Sequence, residues 1–167
     1  DLHARYEATG LARISNIALS DSKGVVSFNY VRSNPAYSGL RQRVYPQNES
    51  IDTIEVRTDL LDDVLPDGQR VDLIKIDVEG AELQVLEGAV ATLRRTRPVV
   101  IFEHGLGAAD CYGTRPEQVY DLLTGRADLD VSLMSRWLNG ETALSRREFV
   151  RQFERRRNYY FIACARA

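Results

Sequence analysis

Val71-Asp72-Leu73-Ile74-Lys75-Ile76-Asp77-Val78-Glu79-Gly80-Ala81-Glu82-Leu83-Gln84-Val85-Leu86-Glu87-Gly88-Ala89 decides how the rest of the chain is read. Its first seven residues are mostly apolar and end in a carboxylate. That pattern predicts a strand buried on both faces that delivers a charge at its C-terminal tip. Gly80 is then expected to start a helix, because Leu83, Leu86, Val90 and Leu93 recur at intervals of three and four residues and share one face. Arg94, Arg95 and Arg97 lie where the helix dipole favours cations, and Pro98 stops the element. The apolar run Val99-Val100-Ile101-Phe102-Glu103 reads as the next strand. Strand, helix and strand at this spacing predict a right-handed crossover with parallel strands, so carboxylates stand at both tips.

Upstream, residues 13–19 read as a short strand running into the polar turn Ser20-Asp21-Ser22-Lys23-Gly24. Residues 25–31 predict a second, half-buried strand with Val26, Phe28 and Tyr30 on one face. Residues 32–50, with Asn34-Pro35, Ser38-Gly39 and Tyr45-Pro46-Gln47-Asn48, lack periodicity and read as a long surface loop of the kind that covers a site. Ile54-Glu55-Val56-Arg57 alternates again, and Thr58-Asp59 is expected to open a short helix through Leu65. Downstream, Thr114-Arg115-Pro116-Glu117 and Ser145-Arg146-Arg147-Glu148 read as capping boxes. The first opens a helix that Gly125 ends; the second opens one carrying Phe149 and Phe153. Residues 131–134 and 159–164 are strand candidates.

The 167 residues, 44% apolar and 28% charged, suit one soluble domain spanning 1–167. A formal charge of −2 argues against a general nucleic-acid binder. No apolar run approaches the ~20 residues that cross a bilayer, and no signal-peptide core opens the sequence. The expectation is a cytoplasmic chain with no membrane partner, in which Cys111 and Cys164 are unpaired thiols.

The central stretch, with Lys75-Ile76-Asp77-Val78-Glu79-Gly80-Ala81-Glu82, Val85-Leu86 and Gly88-Ala89, closely resembles the signature of the FkbM-type S-adenosylmethionine-dependent methyltransferases. Asn16-Ile17-Ala18-Leu19-Ser20-Asp21, with Gly24 beyond it, resembles the family's third strand and its turn. The resemblance implies an α/β, Rossmann-like methyltransferase fold, mostly parallel with an antiparallel last strand. The family's glycine-rich loop after the first strand and its acid after the second have no counterpart here. The sheet is therefore expected to lack its first two strands, with residues 1–10 as the helix leading into the third. Unpaired central edges invite association, so the chain is expected to be part of a longer protein or to self-associate.

The resemblance further implies S-adenosylmethionine as cofactor and methyl transfer, an O-methylation of a small-molecule or glycan hydroxyl. It puts Asp77 beside the cofactor's methionine portion or the acceptor, and Ala18, Leu19, Ser20 and Asp21 beside the adenine. Methyl transfer from a sulfonium is an in-line displacement, so the protein aligns the acceptor and removes its proton. Parallel sheets bind ligands at the C-terminal ends of their strands, which singles out Asp77, Glu103 and His104. His104 has the side-chain type suited to take a proton near neutral pH, and Glu79 is placed to orient an acceptor hydroxyl. Plainer roles stand beside these: Asp77 as a helix cap, His104 bonded to a backbone carbonyl, Glu79 and Glu82 as dipole partners, Ser20 and Asp21 as an ordinary turn.

Other readings compete. Asp77-Val78-Glu79 superficially resembles the acidic triplet of a metal-dependent glycosyltransferase, with no metal expected under the first reading. A non-catalytic binding or dimerising remnant of the fold is the third. The arginines between Arg146 and Arg157 read as a solvated helix face, and Trp137 as an anchor or a lid.

Overall fold

The structure is a computed structural model that describes residues 5–45 and 49–165. Among these, the strands form two mixed sheets. The first joins β1 (Ala18–Leu19), β2 (Gly24–Val31) and β3 (Ile51–Asp59) in the order β1-β3-β2. β1 runs parallel to β3 and β2 antiparallel to it. The second joins β4 (Leu73–Ile76), β5 (Val99–Glu103), β6 (Leu129–Ser132) and β7 (Tyr160–Ala165) in the order β4-β5-β7-β6.

The crossover expected around the central stretch is present: β4 and β5 pair in parallel, with Ile76 opposite Phe102. β7 is antiparallel to both β5 and β6, as the resemblance implied for the last strand. A mostly parallel sheet is not what forms among the described residues. The four-stranded sheet has a single parallel pairing, because β7 threads between β5 and β6 and reverses the direction of both neighbouring ladders.

The expectation of a β4 buried on both faces is corrected. Among the described residues it pairs with β5 alone and is an edge strand; Leu73 is 58% exposed and Lys75 also faces outward, while Ile76 is buried. A run of apolar residues therefore borders open space on one side. β5 shows the burial β4 lacks: Val100 and Phe102 are fully buried on one face by period-two alternation. Phe102 stacks on Phe161 of β7 at 5.7 Å between ring centroids, and Phe149 packs on the same Phe161 at 4.6 Å. Burying each such ring contributes about 1.5–3 kcal/mol.

The single helix expected from Gly80 is also corrected. Two short helices form, α2 (Glu82–Glu87) and α3 (Val90–Thr96), following α1 (Leu61–Val64). The break at Gly88-Ala89 has a local cause. Asp62 of α1 places its carboxylate on the start of α3, where Oδ2 accepts the N–H of Ala91 (2.9 Å) and Oδ1 that of Thr92 (2.7 Å). Its own N–H donates to the Gly88 carbonyl (3.0 Å). A side chain from another element thus caps α3 and draws its first turn away from α2. The apolar face survives the break, with Leu86 and Leu93 fully buried and Leu83 and Val90 packed against the same core. No side chain is tolerated at Gly88, where a Cβ would lie 2.0 Å from the Ser20 carbonyl oxygen.

Smaller boundaries shift. The strand expected over 13–19 is reduced to Ala18–Leu19. The helix expected to open at Thr58-Asp59 begins at Leu61, because those two residues still pair in β3. Arg115, not Thr114, stands at the N-cap of α4 (Pro116–Asp121); its N–H donates to Gln118 Oε1 (2.9 Å), and Pro116 holds the first helical position. Beyond α4 the chain continues as a π-helical turn, Leu122–Arg126, past the stop expected at Gly125. After β6 comes α5 (Met134–Leu138), so the strand expected over 131–134 gives way to a helix at Met134. The Ser145–Glu148 capping box opens α6 (Arg146–Glu154) as expected, and Phe149 and Phe153, one turn apart on it, are both buried. Of the helix expected over 1–10, residues 1–4 lie outside the described residues, Arg5 and Tyr6 are α-helical, and Glu7–Thr9 is a 3-10 turn. The expected loop over 32–50 is a loop with a 3-10 turn at Pro35–Tyr37; its Pro46, Gln47 and Asn48 lie outside the described residues. Cys111 and Cys164 are free thiols.

Candidate active site at the strand tips

Parallel pairing of β4 with β5 makes their C-terminal ends neighbours, so Asp77 and Glu103 leave adjacent tips. Asp77 pairs with Lys75 two residues before it, at 2.5 Å, and both side chains are substantially exposed. It caps no helix: the position before α2 is Ala81, without a side-chain cap. The Asp77 carboxylate holds Lys75 above the usual lysine range.

The turn after Asp77 is unusual. Glu79 has φ 55° and Gly80 has φ 109°, consecutive left-handed residues of which only the second is a glycine. Gly80 is obligatory for a second reason, since a Cβ there would sit 2.5 Å from the Ala108 carbonyl. The twist turns the Glu79 carboxylate toward the loop after β2, where it forms an ion pair with Arg43. Arg43 is only 15% exposed; its Nε also donates to the Gly107 carbonyl (2.9 Å), and its guanidinium lies over the Tyr37 ring. Nearby, the Tyr112 hydroxyl accepts the Arg41 N–H (3.2 Å). Loop and strand tips are joined at two points.

Two cavities flank this turn. A large apolar one of about 800 Å³ lies between the sheets beside the open edge of β4, bordered by Ala18, Leu19, Phe28, Ile74 and Asp77. A smaller one of about 260 Å³ lies between the turn and the residues after β5, bordered by Arg43, Glu82, Glu103 and Tyr159. Glu79 lines both. Gly105 gives the Tyr159 ring its place, since a Cβ there would come within 2.3 Å of it. Partial burial, and then the charges of Asp77, Glu79 and Glu82, push the Glu103 carboxyl above the usual carboxylate range; Arg43 pulls the other way.

Ala18, Leu19, Asp77 and Glu79 are thus brought together. Ser20 and Asp21 sit apart from the cavity walls. Ser20 is buried, its N–H donating to the Asp59 carbonyl (2.9 Å) and its hydroxyl to Asp21 Oδ1 (3.2 Å), while Asp21 is exposed. His104 lies beneath the site. It is 1% exposed, its ring stacked on Phe153 (4.9 Å) and near Phe149 (6.1 Å), and its Nδ1 is 3.6 Å from Glu82 Oε2. Its ring makes no hydrogen bond to a backbone carbonyl; its backbone N–H donates to the Tyr159 carbonyl instead (2.7 Å). Trp137, 40% exposed, lies in α5 beside β7, on the far part of the sheet from the strand tips. Arg43 and Tyr112 are residues near the site that the sequence does not announce, because each lies in a segment without periodicity or motif; Tyr159 is announced only as the start of the last strand.

Among the described residues no group of three or more His, Cys, Asp or Glu is arranged to hold a metal ion, and no helix is long and apolar enough to cross a membrane. The cavity beside β4 has apolar walls at Ala18 and Leu19 and a carboxylate at Asp77. No curated protein and no solved structure gives a significant match to the chain. The sequence model of the methyltransferase FkbM domain matches residues 4–131, well over half of the length and including both strand tips. With β4, its acidic turn and β5 inside that match, the chain belongs to the FkbM methyltransferase family.

Proposed function

We propose that this chain carries the catalytic face of an S-adenosylmethionine-dependent methyltransferase acting on a hydroxyl oxygen of a small molecule or glycan. The observation that carries the reading is Glu79 as a shared wall: one side faces a large apolar cavity, the other a small polar one. A volume of about 800 Å³ falls within the usual range of ligand sites, ~300–1,000 Å³.

A donor bound there would supply an electrophilic methyl carbon for in-line attack by the acceptor oxygen, the C–O bond forming as the C–S bond breaks and the neutral thioether leaves. Ala18 and Leu19 offer apolar contact to the adenine, and Asp77 offers a carboxylate to a cationic group. Glu79 orients the acceptor hydroxyl from the small cavity. The acceptor's proton goes to a carboxylate at the tips, and Glu103 suits that task best. Asp77 is held by Lys75 and Glu79 by Arg43, whereas Glu103 has no ion pair among the described residues and burial raises its affinity for a proton above that of an ordinary carboxylate. His104 supports the site from below, since its burial keeps it from touching an acceptor directly.

The test is calorimetric titration of the full chain with S-adenosylmethionine, followed by transfer of a labelled methyl group to polyhydroxylated acceptors. Saturable binding that Asp77→Ala weakens by about tenfold or more is expected from loss of a charge-assisted contact. No binding to the native chain overturns the reading.

A further inference from the structure

Glu82 is a carboxylate where a carboxylate is expensive: 2% exposed, at the start of a six-residue helix that it does not cap from the N-cap position. Its contacts say what holds it there. Oε1 accepts the N–H of Gly80, at 2.8 Å, reaching back out of the helix into the left-handed turn. Oε2 has no hydrogen-bond partner and faces Nδ1 of His104 at 3.6 Å. The imidazole is fixed by the rings of Phe149 and Phe153, and the His104 backbone by Tyr159. The carboxylate is therefore bounded behind by the aromatic layer around His104, and its one hydrogen bond is to the turn.

That turn needs an external hold. Glu79 is a non-glycine residue at positive φ, followed by Gly80 pressed against the Ala108 backbone. Such a pair relaxes toward ordinary backbone unless its N–H groups are tied. Glu82 ties the N–H of the peptide that joins the two, and the Glu79 side chain meets Arg43.

We propose that Glu82 is a positioning residue for the strand-tip site, acting through the Gly80 N–H to set the direction of the Glu79 carboxylate and hence its ion pair with Arg43. Its relevance to methyl transfer rests on the reading of the preceding subsection; the linkage itself does not. Glu82 touches neither donor nor acceptor in this role. His104 and its aromatic neighbours serve as the backstop.

The decisive comparison is Glu82→Ala against Glu82→Gln in the full, ligand-free chain, read by amide hydrogen exchange at Gly80 and by the Arg43 Nε–H resonance. In the native chain the Gly80 amide is protected. Glu82→Ala is expected to speed its exchange about tenfold or more and to shift the Arg43 signal, while amides at Leu86 and Leu93 hold their protection. Glu82→Gln keeps a side-chain oxygen at Oε1 and is expected to restore both signals. If Glu82→Ala does not fold, Glu82→Met, which refills the volume without an acceptor, takes its place. A native Gly80 amide that exchanges like an exposed one overturns the proposal, as does an unchanged Arg43 signal in the folded acceptor-free variant. In the kinetic arm the same variant is expected to lower kcat by about tenfold with donor KM within about twofold, and Gln to rescue it. Failure of the native chain to bind the donor sinks the methyl-transfer reading, and the amide measurements still decide the linkage.

Discussion

Arg43 and Glu79 stand 36 residues apart in sequence and form a half-buried ion pair that closes the loop after β2 onto the turn after β4. Glu79 lines both cavities, Arg43 lines the smaller one, and the Arg43 side chain is 15% exposed. Replacing Arg43 with Met keeps the stem over Tyr37 and removes the charge. The expected outcome is loss of donor or acceptor affinity by about tenfold or more, the scale of one charge-assisted contact. Calorimetric titration of the variant beside the native chain checks it; unchanged affinity would remove Arg43 from the site.

Gly88, at the end of α2, packs directly under the Ser20 carbonyl just after β1. Gly88→Ala puts a methyl group into backbone rather than into a movable side chain. A cost of about 3 kcal/mol, the upper part of the usual overpacking range, is expected in chemical denaturation. A loss under about 1 kcal/mol would mean that the contact between β1 and α2 gives way easily.

Asp62 caps α3 with both carboxylate oxygens. Asp62→Ala is expected to cost about 0.5–2 kcal/mol, seen as a lower urea midpoint with the same slope. Asp62→Asn, which retains an acceptor oxygen, is expected to recover part of it.

Glu148 is held down to about 2 by the Ser145 N–H, then by the Ser145 hydroxyl and Arg136. Its folded value lies below the ordinary 4.5, so the native state favours the ionised form. The stabilisation is present above about pH 4.5 and is lost as pH falls toward about 2. The group is exposed, so the effect is screened by water and salt. Melting temperature against pH for the native chain and Glu148→Ala should converge across that acid window and stay separated above it. Parallel curves would show that the capping box does not couple to protonation.

Glu103 gives the opposite sign. Burial raises its carboxyl, so the native state favours the protonated form, and its contribution is lost as pH rises above the ordinary 4.5 through the raised value. Glu103→Gln is expected to melt at a temperature that declines less over that interval than the native chain's, followed by scanning calorimetry in a pH series.

Periodicity in 71–103 was enough to place two parallel strands with acids at their tips and an apolar helical face between them, because local spacing alone decides which side chains share a face. The Ser145–Glu148 cap and the β2 and β7 strands were legible for the same reason. Tertiary contacts decided the rest. The exposure of Leu73 depends on which strand neighbours β4, the break between α2 and α3 on a carboxylate 29 residues upstream of Ala91, and the burial of His104 on rings from α6. Arg43 enters the site through a left-handed turn at Glu79-Gly80 that only a folded chain can hold. Spacing along the sequence records what lies one turn or one pleat away; an ion pair or a cap between distant segments exists only once the chain has closed upon itself.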